Sequence, residues 1–224
     1  MPKFYYSFFS LFLFTNLLLS GCASKPEKPS IESTHKDFYS TEQRAEQLLA
    51  NKNWRLQGKI AFIQKTVHSN GKDKRESASI AWHVDEQAKT QELNLTSYLG
   101  INVLHLKSMQ NEHVIEVDGK KYHASNLSQL IYSLTGFTLP TKALTYWLKG
   151  LPYKEDDTLI IDKKTKLPIS LSSNYLNTLW QINYDNYQIF NGVNFEGLHM
   201  ATKFTLKKNN LLIKIAVNKW IFDD

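Results

Sequence analysis

Trp54-Arg55-Leu56-Gln57-Gly58-Lys59-Ile60-Ala61-Phe62 alternates with a period of two. Trp54, Leu56, Gly58, Ile60 and Phe62 fall on one side, and Arg55, Gln57 and Lys59 on the other. Successive side chains of a strand point to opposite faces, so this stretch reads as a strand buried on one face. Its neighbour repeats the pattern: Ala78, Ile80, Trp82 and Val84 alternate with Ser77, Ser79 and His83. The polar segment between them contains Asn70-Gly71, a turn signal.

Working outward, Leu93 with Leu95, Leu104 with Leu106, and Ile115 with Val117 predict three more strands. Asp118-Gly119 reads as a tight hairpin turn, with Tyr122 beyond it. Upstream, Ser40 with Gln43 three residues later is a capping box, opening a helix whose apolar side is Ala45, Leu48 and Leu49 and which ends near Asn51. Leu127, Leu130, Ile131 and Leu134 sit at helical spacing, stopped by Gly136. After Pro140, Ala143, Leu144, Trp147 and Leu148 do the same until Gly150 and Pro152. Strand character returns at Leu159–Ile161, Leu167–Ser172 and Leu179–Tyr187, in the last of which Trp180, Ile182 and Tyr184 share a face. Phe204 and Leu206 lead through an Asn209-Asn210 turn to Leu211, Ile213, Ile215 and Val217, with Trp220 beyond. The sum is a mainly β (α+β) chain of about ten short antiparallel strands, and their close spacing points to a barrel or strongly curved sheet. Helices with one apolar stripe need a surface to cover, and the open side of that sheet supplies it.

The N-terminus carries an address. Lys3 precedes an apolar stretch, Phe4 to Leu19, that is short for a membrane span and contains Thr15 and Asn16. Leu19-Ser20-Gly21-Cys22 follows, and resembles the lipobox of bacterial lipoproteins: an aliphatic residue, two small ones, then the thiol that takes the lipid. Residues 1–21 are therefore expected to be a signal peptide, with Cys22 the lipidated N-terminus of the mature chain. Cys22 is the only cysteine, so it has no partner for an internal disulfide. Ala23 to Lys36 is rich in Ser, Lys, Glu and Pro and reads as a flexible tether spanning on the order of 20 Å. Residues 37–224 are long enough for one domain with a real core.

Charge and chemistry exclude several classes. Residues 1–21 hold one of the 27 Lys and Arg and none of the 21 Asp and Glu, leaving a net charge of +5. The basic residues are spread along the chain, without the block that nucleic acid would require. A mildly basic surface fits anionic lipid head groups, an acidic partner, or solubility alone. The sequence contains no G-x-S-x-G elbow, P-loop or G-x-G-x-x-G. No two of the seven His (His35, His68, His83, His105, His113, His123, His199) stand at zinc-ligand spacing. His83 should point outward, and Asp156-Asp157 reads as a solvated turn. The expectation is a non-enzyme without metal or cofactor; only a hydrolase assembled from residues distant in sequence stays open.

The order of motifs resembles the LolB family of outer-membrane lipoproteins over Trp54 to Phe222. Gly58-Lys59-Ile60-Ala61-Phe62, Ala81-Trp82 and Leu93-Asn94-Leu95-Thr96-Ser97-Tyr98-Leu99-Gly100 carry the first half. Leu134-Thr135-Gly136-Phe137-Thr138-Leu139-Pro140 and Leu144-Thr145-Tyr146-Trp147-Leu148-Lys149-Gly150-Leu151-Pro152 are the most telling. Trp180-Gln181-Ile182-Asn183-Tyr184 and Ile213-Lys214-Ile215 with Trp220 complete it. The resemblance implies an open antiparallel β-barrel of ten to eleven strands with a lid of short helices and an apolar cavity. It also implies a monomer, anchored in the outer membrane and facing the periplasm. Such a protein accepts triacylated client lipoproteins from the soluble carrier LolA and inserts them into outer-membrane lipid. A protruding loop with an apolar tip serves delivery. Here that loop is Tyr98, Leu99, Gly100 and Ile101, with Tyr98 where the family has Pro. His199-Met200 stands where the family often has Leu-Pro.

Two readings stand side by side at the site. Leu99 is either one more core residue or an exposed tip; the inward set passes from odd positions (Leu93, Leu95) to even ones (Leu104, Leu106), so the chain must turn between them. Trp54, Ile60, Phe62, Trp82, Leu95, Leu104, Leu134, Leu144, Trp147 and Trp180 either fill a core or, as the resemblance implies, line an acyl-binding cavity. The competing functional class is a lipid-binding or sensory envelope lipoprotein on a similar half-barrel, without a carrier partner.

Overall fold

The computed structural model describes residues 39–66, 72–97, 100–110, 112–135, 139–192 and 195–223, and of Asn102, Leu134 and Thr135 the backbone alone. All belong to one compact unit, Asp37–Asp224. The turn expected at Asn70-Gly71 and the stop at Gly136 lie outside the described residues.

Helix α1 (Thr41–Ala50) begins with the expected capping box: Gln43 N donates to Ser40 Oγ at 3.2 Å, and Ser40 N donates to Gln43 Oε1 at 3.0 Å. Asn51 caps its other end. The buried stripe differs from the expected one. Leu48 is buried and Ala45 partly so, but Leu49 is 47% exposed and Arg44 only 4%. Positions i and i+4 share a helix face, so Arg44 rides inward with Leu48 while Leu49 turns out to solvent.

The strands form one antiparallel sheet of eleven: β1 (Asn53–Gln64), β2 (Lys74–Asp85), β3 (Thr90–Thr96), β4 (Asn102–Met109), β5 (Glu112–Val117), β6 (Lys120–Ala124), β7 (Thr158–Ile161), β8 (Pro168–Tyr175), β9 (Thr178–Phe190), β10 (Leu198–Lys208) and β11 (Leu211–Asp223). Their order across the sheet is β6-β5-β4-β3-β2-β1-β11-β10-β9-β8-β7. First and last strands pair at the centre, and β6 and β7 are the two free edges. The barrel is therefore open. Helices α2 (Leu127–Thr135) and α3 (Thr141–Trp147) lie in the chain between β6 and β7, so the helical segment connects one free edge to the other.

The tight turns sit where their residues allow. Asp118 and Gly119 both have positive φ (50° and 73°), as a two-residue hairpin requires, and Asn209 (φ 47°) opens the β10–β11 turn. The core is one cluster drawn from alternate strand residues and from all three described helices, through Leu48, Leu127, Leu130, Ile131, Ala143, Leu144 and Trp147. Unit Asp37–Asp224 thus holds this core cluster and the capping box of α1 within itself, which is what a body that folds alone needs.

Gly58 marks the tightest approach. The β1–β11 register shifts between Gln57 and Gly58, and a Cβ on Gly58 would lie 2.1 Å from the Ala216 carbonyl oxygen. Backbone must move to admit it. Gly58→Ala is expected to cost about 1–3 kcal/mol, as overpacking does, read as a lower urea midpoint with unchanged slope.

Candidate functional site

A cavity of about 450 Å³ lies between the β1–β5 half of the sheet and helix α2. Its wall is apolar: Phe62 from β1, Ala78 from β2, Leu93 and Leu95 from β3, Val103 and Leu104 from β4, Val117 from β5, Ile131 from α2, and Leu139. Glu76 and Ser77 of β2, both exposed, are the polar contributors. The wall forms because Leu95 pairs with Leu104 and Leu93 with Leu106 across β3–β4, so both sets face the same side. The change from odd to even inward positions is absorbed by a register shift after Leu95 and by the turn that follows.

That turn closes tightly. Ser97 N donates to Ile101 O at 2.8 Å, and Gly100 N donates to Ser97 O at 3.0 Å. Gly100 has φ 77°, the left-handed conformation that suits glycine in a short hairpin loop. Ile101 is 64% exposed and Val103 43%. The turn therefore presents aliphatic surface to solvent at the cavity's end of the sheet. Tyr98 and Leu99 lie outside the described residues, as does Cys22.

Of the residues proposed to line a cavity, Phe62, Leu95 and Leu104 are in this wall. Trp54, Ile60, Trp82, Leu144, Trp147 and Trp180 are buried elsewhere in the same core. The indoles pack ring against ring: Trp54 against Trp82 at 5.6 Å and Trp220 at 5.6 Å, and Trp147 against Trp180 at 5.8 Å. The side chain of Leu134 is not described. Sequence reasoning missed Ala78, Leu93, Val103, Val117, Ile131 and Leu139. Ala78, Leu93, Val117 and Ile131 carried a signal, being in phase with named strand and helix positions; Val103 and Leu139 did not.

A second hollow, about 760 Å³, lies at the β2–β3 turn, the far end of those strands, and mixes charged and polar side chains with apolar ones. Lys89, Gln91, Ser108, His113, Lys142 and Thr145 contribute to it. His113 Nδ1 is 2.7 Å from Ser108 Oγ, and burial, with Lys142 nearby, holds its pKa below the usual histidine value. The two hollows offer different chemistry, and only the first suits hydrocarbon.

One polar cluster was invisible in the sequence. Lys149, with no exposed side-chain surface, places Nζ 2.6 Å from Glu86 Oε1 and 3.3 Å from Leu48 O. Trp54 Nε1 donates to the same Glu86 oxygen at 3.2 Å. Arg44 donates to the Lys149 carbonyl at 2.9 Å and to His199 O at 3.3 Å. These bonds pin α1, the end of α3, the β2–β3 turn and β10 together. Burial lowers the Lys149 pKa, and Glu86 opposes that shift. The reading of Asp156-Asp157 as a solvated turn also fails for Asp157. Its Oδ2 accepts from Tyr153 N at 2.8 Å and Lys154 N at 3.2 Å, and its Oδ1 is buried without a hydrogen-bond partner. His83 does point outward, 2.9 Å from Asn53.

A family model described as "Outer membrane lipoprotein LolB" matches residues 52–220. The chain belongs to the LolB family. Among relatives of this LolB-family chain, an outer-membrane lipoprotein LolB from Pseudoalteromonas translucida is 32% identical, over 92% of this chain and 91% of its own. One from Psychromonas ingrahamii is 28% identical, over 94% of each. A crystal structure of a LolA superfamily protein from Nitrosomonas europaea overlays with TM-score 0.48 and 8% identity, over 83% of this chain and 94% of that one.

Removing one member of a buried ion pair typically costs about 3–5 kcal/mol. Glu86→Ala is expected to lose that much near neutral pH, leaving the Lys149 ammonium unpaired. Because the folded-state pKa of Lys149 is then further below its unfolded value, the unfolded chain binds more protons between the two. Stability of the variant should therefore rise again as pH is raised toward the ordinary lysine range. Urea titrations at pH 7 and at about 10 check both; a flat profile counts against the charge explanation.

Proposed function

We propose that this chain is an outer-membrane lipoprotein that receives triacylated lipoproteins from a LolA-type carrier and inserts them into the membrane, without covalent chemistry. The signal peptide ends at Gly21, Cys22 is lipidated, and residues 22–36 tether the body to the outer membrane on its periplasmic side. The apolar cavity under α2 is the observation that carries this reading, in a chain whose relatives are called outer-membrane lipoprotein LolB.

Cavity size fits a carrier that must let go. A methylene takes about the room of a water molecule, roughly 30 Å³. The cavity of about 450 Å³ then holds about 15 methylenes, one acyl chain of ordinary length. At about 0.8 kcal/mol per methylene, one chain contributes about 12 kcal/mol before any opposing cost. Three fully buried chains would exceed the limit of noncovalent affinity and would never be released. Partial burial here and full burial in the bilayer make transfer downhill, with no nucleotide needed. The Ser97–Ile101 turn, with Leu99 as its tip, meets the bilayer at the mouth of the cavity.

The test uses a carrier loaded with labelled triacylated lipoprotein, mixed with this protein and then with liposomes, without ATP. Label moving to the protein and on to liposomes is the expected result. Label that stays on the carrier would sink the reading in favour of a lipid-binding or sensory lipoprotein. Leu99→Glu should still accept label but deliver it poorly; undiminished delivery removes the turn from the mechanism. Leu104→Trp should fold normally yet weaken binding of a fluorescent fatty acid by about tenfold, the equivalent of about two displaced methylenes.

A further inference from the structure

Five cations share the convex face of the four central strands. Register places Lys203, Ala216, Lys59 and Ser79 in one row across β10, β11, β1 and β2. Thr205, Lys214, Ala61 and Ser77 form the next row, and Lys207, Leu212, Ile63 and Arg75 the row after it. Directly paired residues in an antiparallel sheet lie on one face, and residues two apart along a strand share it. Phe62 and Ile213 point into the core, so these three rows point outward. Lys59, Arg75, Lys203, Lys207 and Lys214 are all exposed, and no carboxylate lies in the three rows. Asp185, opposite Lys203 on β9, is the nearest acid by register. At about 4.8 Å between strands, the face is about 15 Å wide.

The rows run up to the strand ends where Lys72, Lys74 and Lys65 stand. There Lys65 pairs with Asp73 at 2.6 Å and Lys74 with Glu76 at 2.8 Å. Glu76 is also at the cavity mouth, so the basic face ends where the cavity opens and where the aliphatic Ser97–Ile101 turn projects.

We propose that this convex face is an electrostatic docking surface for anionic lipid head groups, which turns the cavity mouth toward the bilayer. The five residues line neither of the hollows described above and none of three others, so none of these hollows gives the face a pocket with which to select a small ligand. Spread charge on a smooth surface suits a partner whose charge is also spread, and a lipid surface is of that kind. Each Lys or Arg within reach of such a surface strengthens binding by about fivefold, an effect that fades over about a Debye length as salt is added. The surface is separate from acyl binding: failed transfer with intact vesicle docking would count against the proposed function alone.

The experiment uses the lipid-free body starting at Asp37 and sedimentation with vesicles. One set contains phosphatidylglycerol in phosphatidylcholine, the other phosphatidylcholine alone. The expected result is binding to the anionic set that weakens with salt. Arg75→Gln with Lys207→Gln and Lys214→Gln should weaken it by about a hundredfold, from three factors of about five. Lys52→Gln with Lys89→Gln and Lys164→Gln removes the same charge from exposed positions elsewhere and should change it little. Equal loss in the two triple variants would show bulk charge alone and overturn the proposal. So would equal binding to both vesicle sets, or a face variant that keeps vesicle binding and loses only capture of a loaded acidic carrier protein.

Discussion

An antiparallel sheet of eleven strands with one apolar face must find cover for that face, and the rest of the structure follows from how little helix is available. The described helices have 10, 9 and 7 residues. Rolling the sheet buries much of the apolar face against itself, with Trp54, Trp82 and Trp220 packed together at its centre. Full closure would remove both edges, yet β6 and β7 do not pair with each other. The connection between those edges is where α2 and α3 lie. It covers the opening without filling it, and the shortfall is the apolar cavity.

Order in the lid is bought with polar bonds that a sheet cannot supply. The Lys149 ammonium, held by Glu86 and the Leu48 carbonyl, ties α1 and the end of α3 to the β2–β3 turn. A buried pair of this kind adds little net stability compared with apolar packing, but breaking it is costly. It fixes where the helices sit. The α2 segment is outside this network and rests on β5 and β6, at one free edge of the sheet.

The two faces of the same strands divide the chemistry. Inward positions of β1 to β4 give hydrocarbon contact, while outward positions of β1, β2, β10 and β11 give cations. Period-two alternation makes this possible within a few residues: Phe62 faces the cavity and Ile63 the convex side, in a row with Arg75 and Lys207. Apolar surface and positive charge are thereby brought to one end of the sheet on different side chains.

Much of the fold was legible because its determinants are local. Alternation in Trp54–Phe62, the Ser40–Gln43 capping box, the Asp118-Gly119 and Asn209-Asn210 turns and the helical spacing of Leu127 to Ile131 each depend on neighbours within a few residues. The order of motifs placed the family by the same means. Helix phase already exceeded that reach, since Leu49 and Arg44 exchange places once α1 docks. The tertiary structure alone decided which buried aromatics pack together and which apolar residues border empty space. Trp54 and Phe62 have the same alternation, and only the position of α2 separates them. The same holds for Lys149 and Glu86, 63 residues apart, and for the convex cations, drawn from four strands that span most of the chain. A sequence specifies the face on which a side chain lies; which other side chains share its surroundings is set by strand register and by where the helices come to rest.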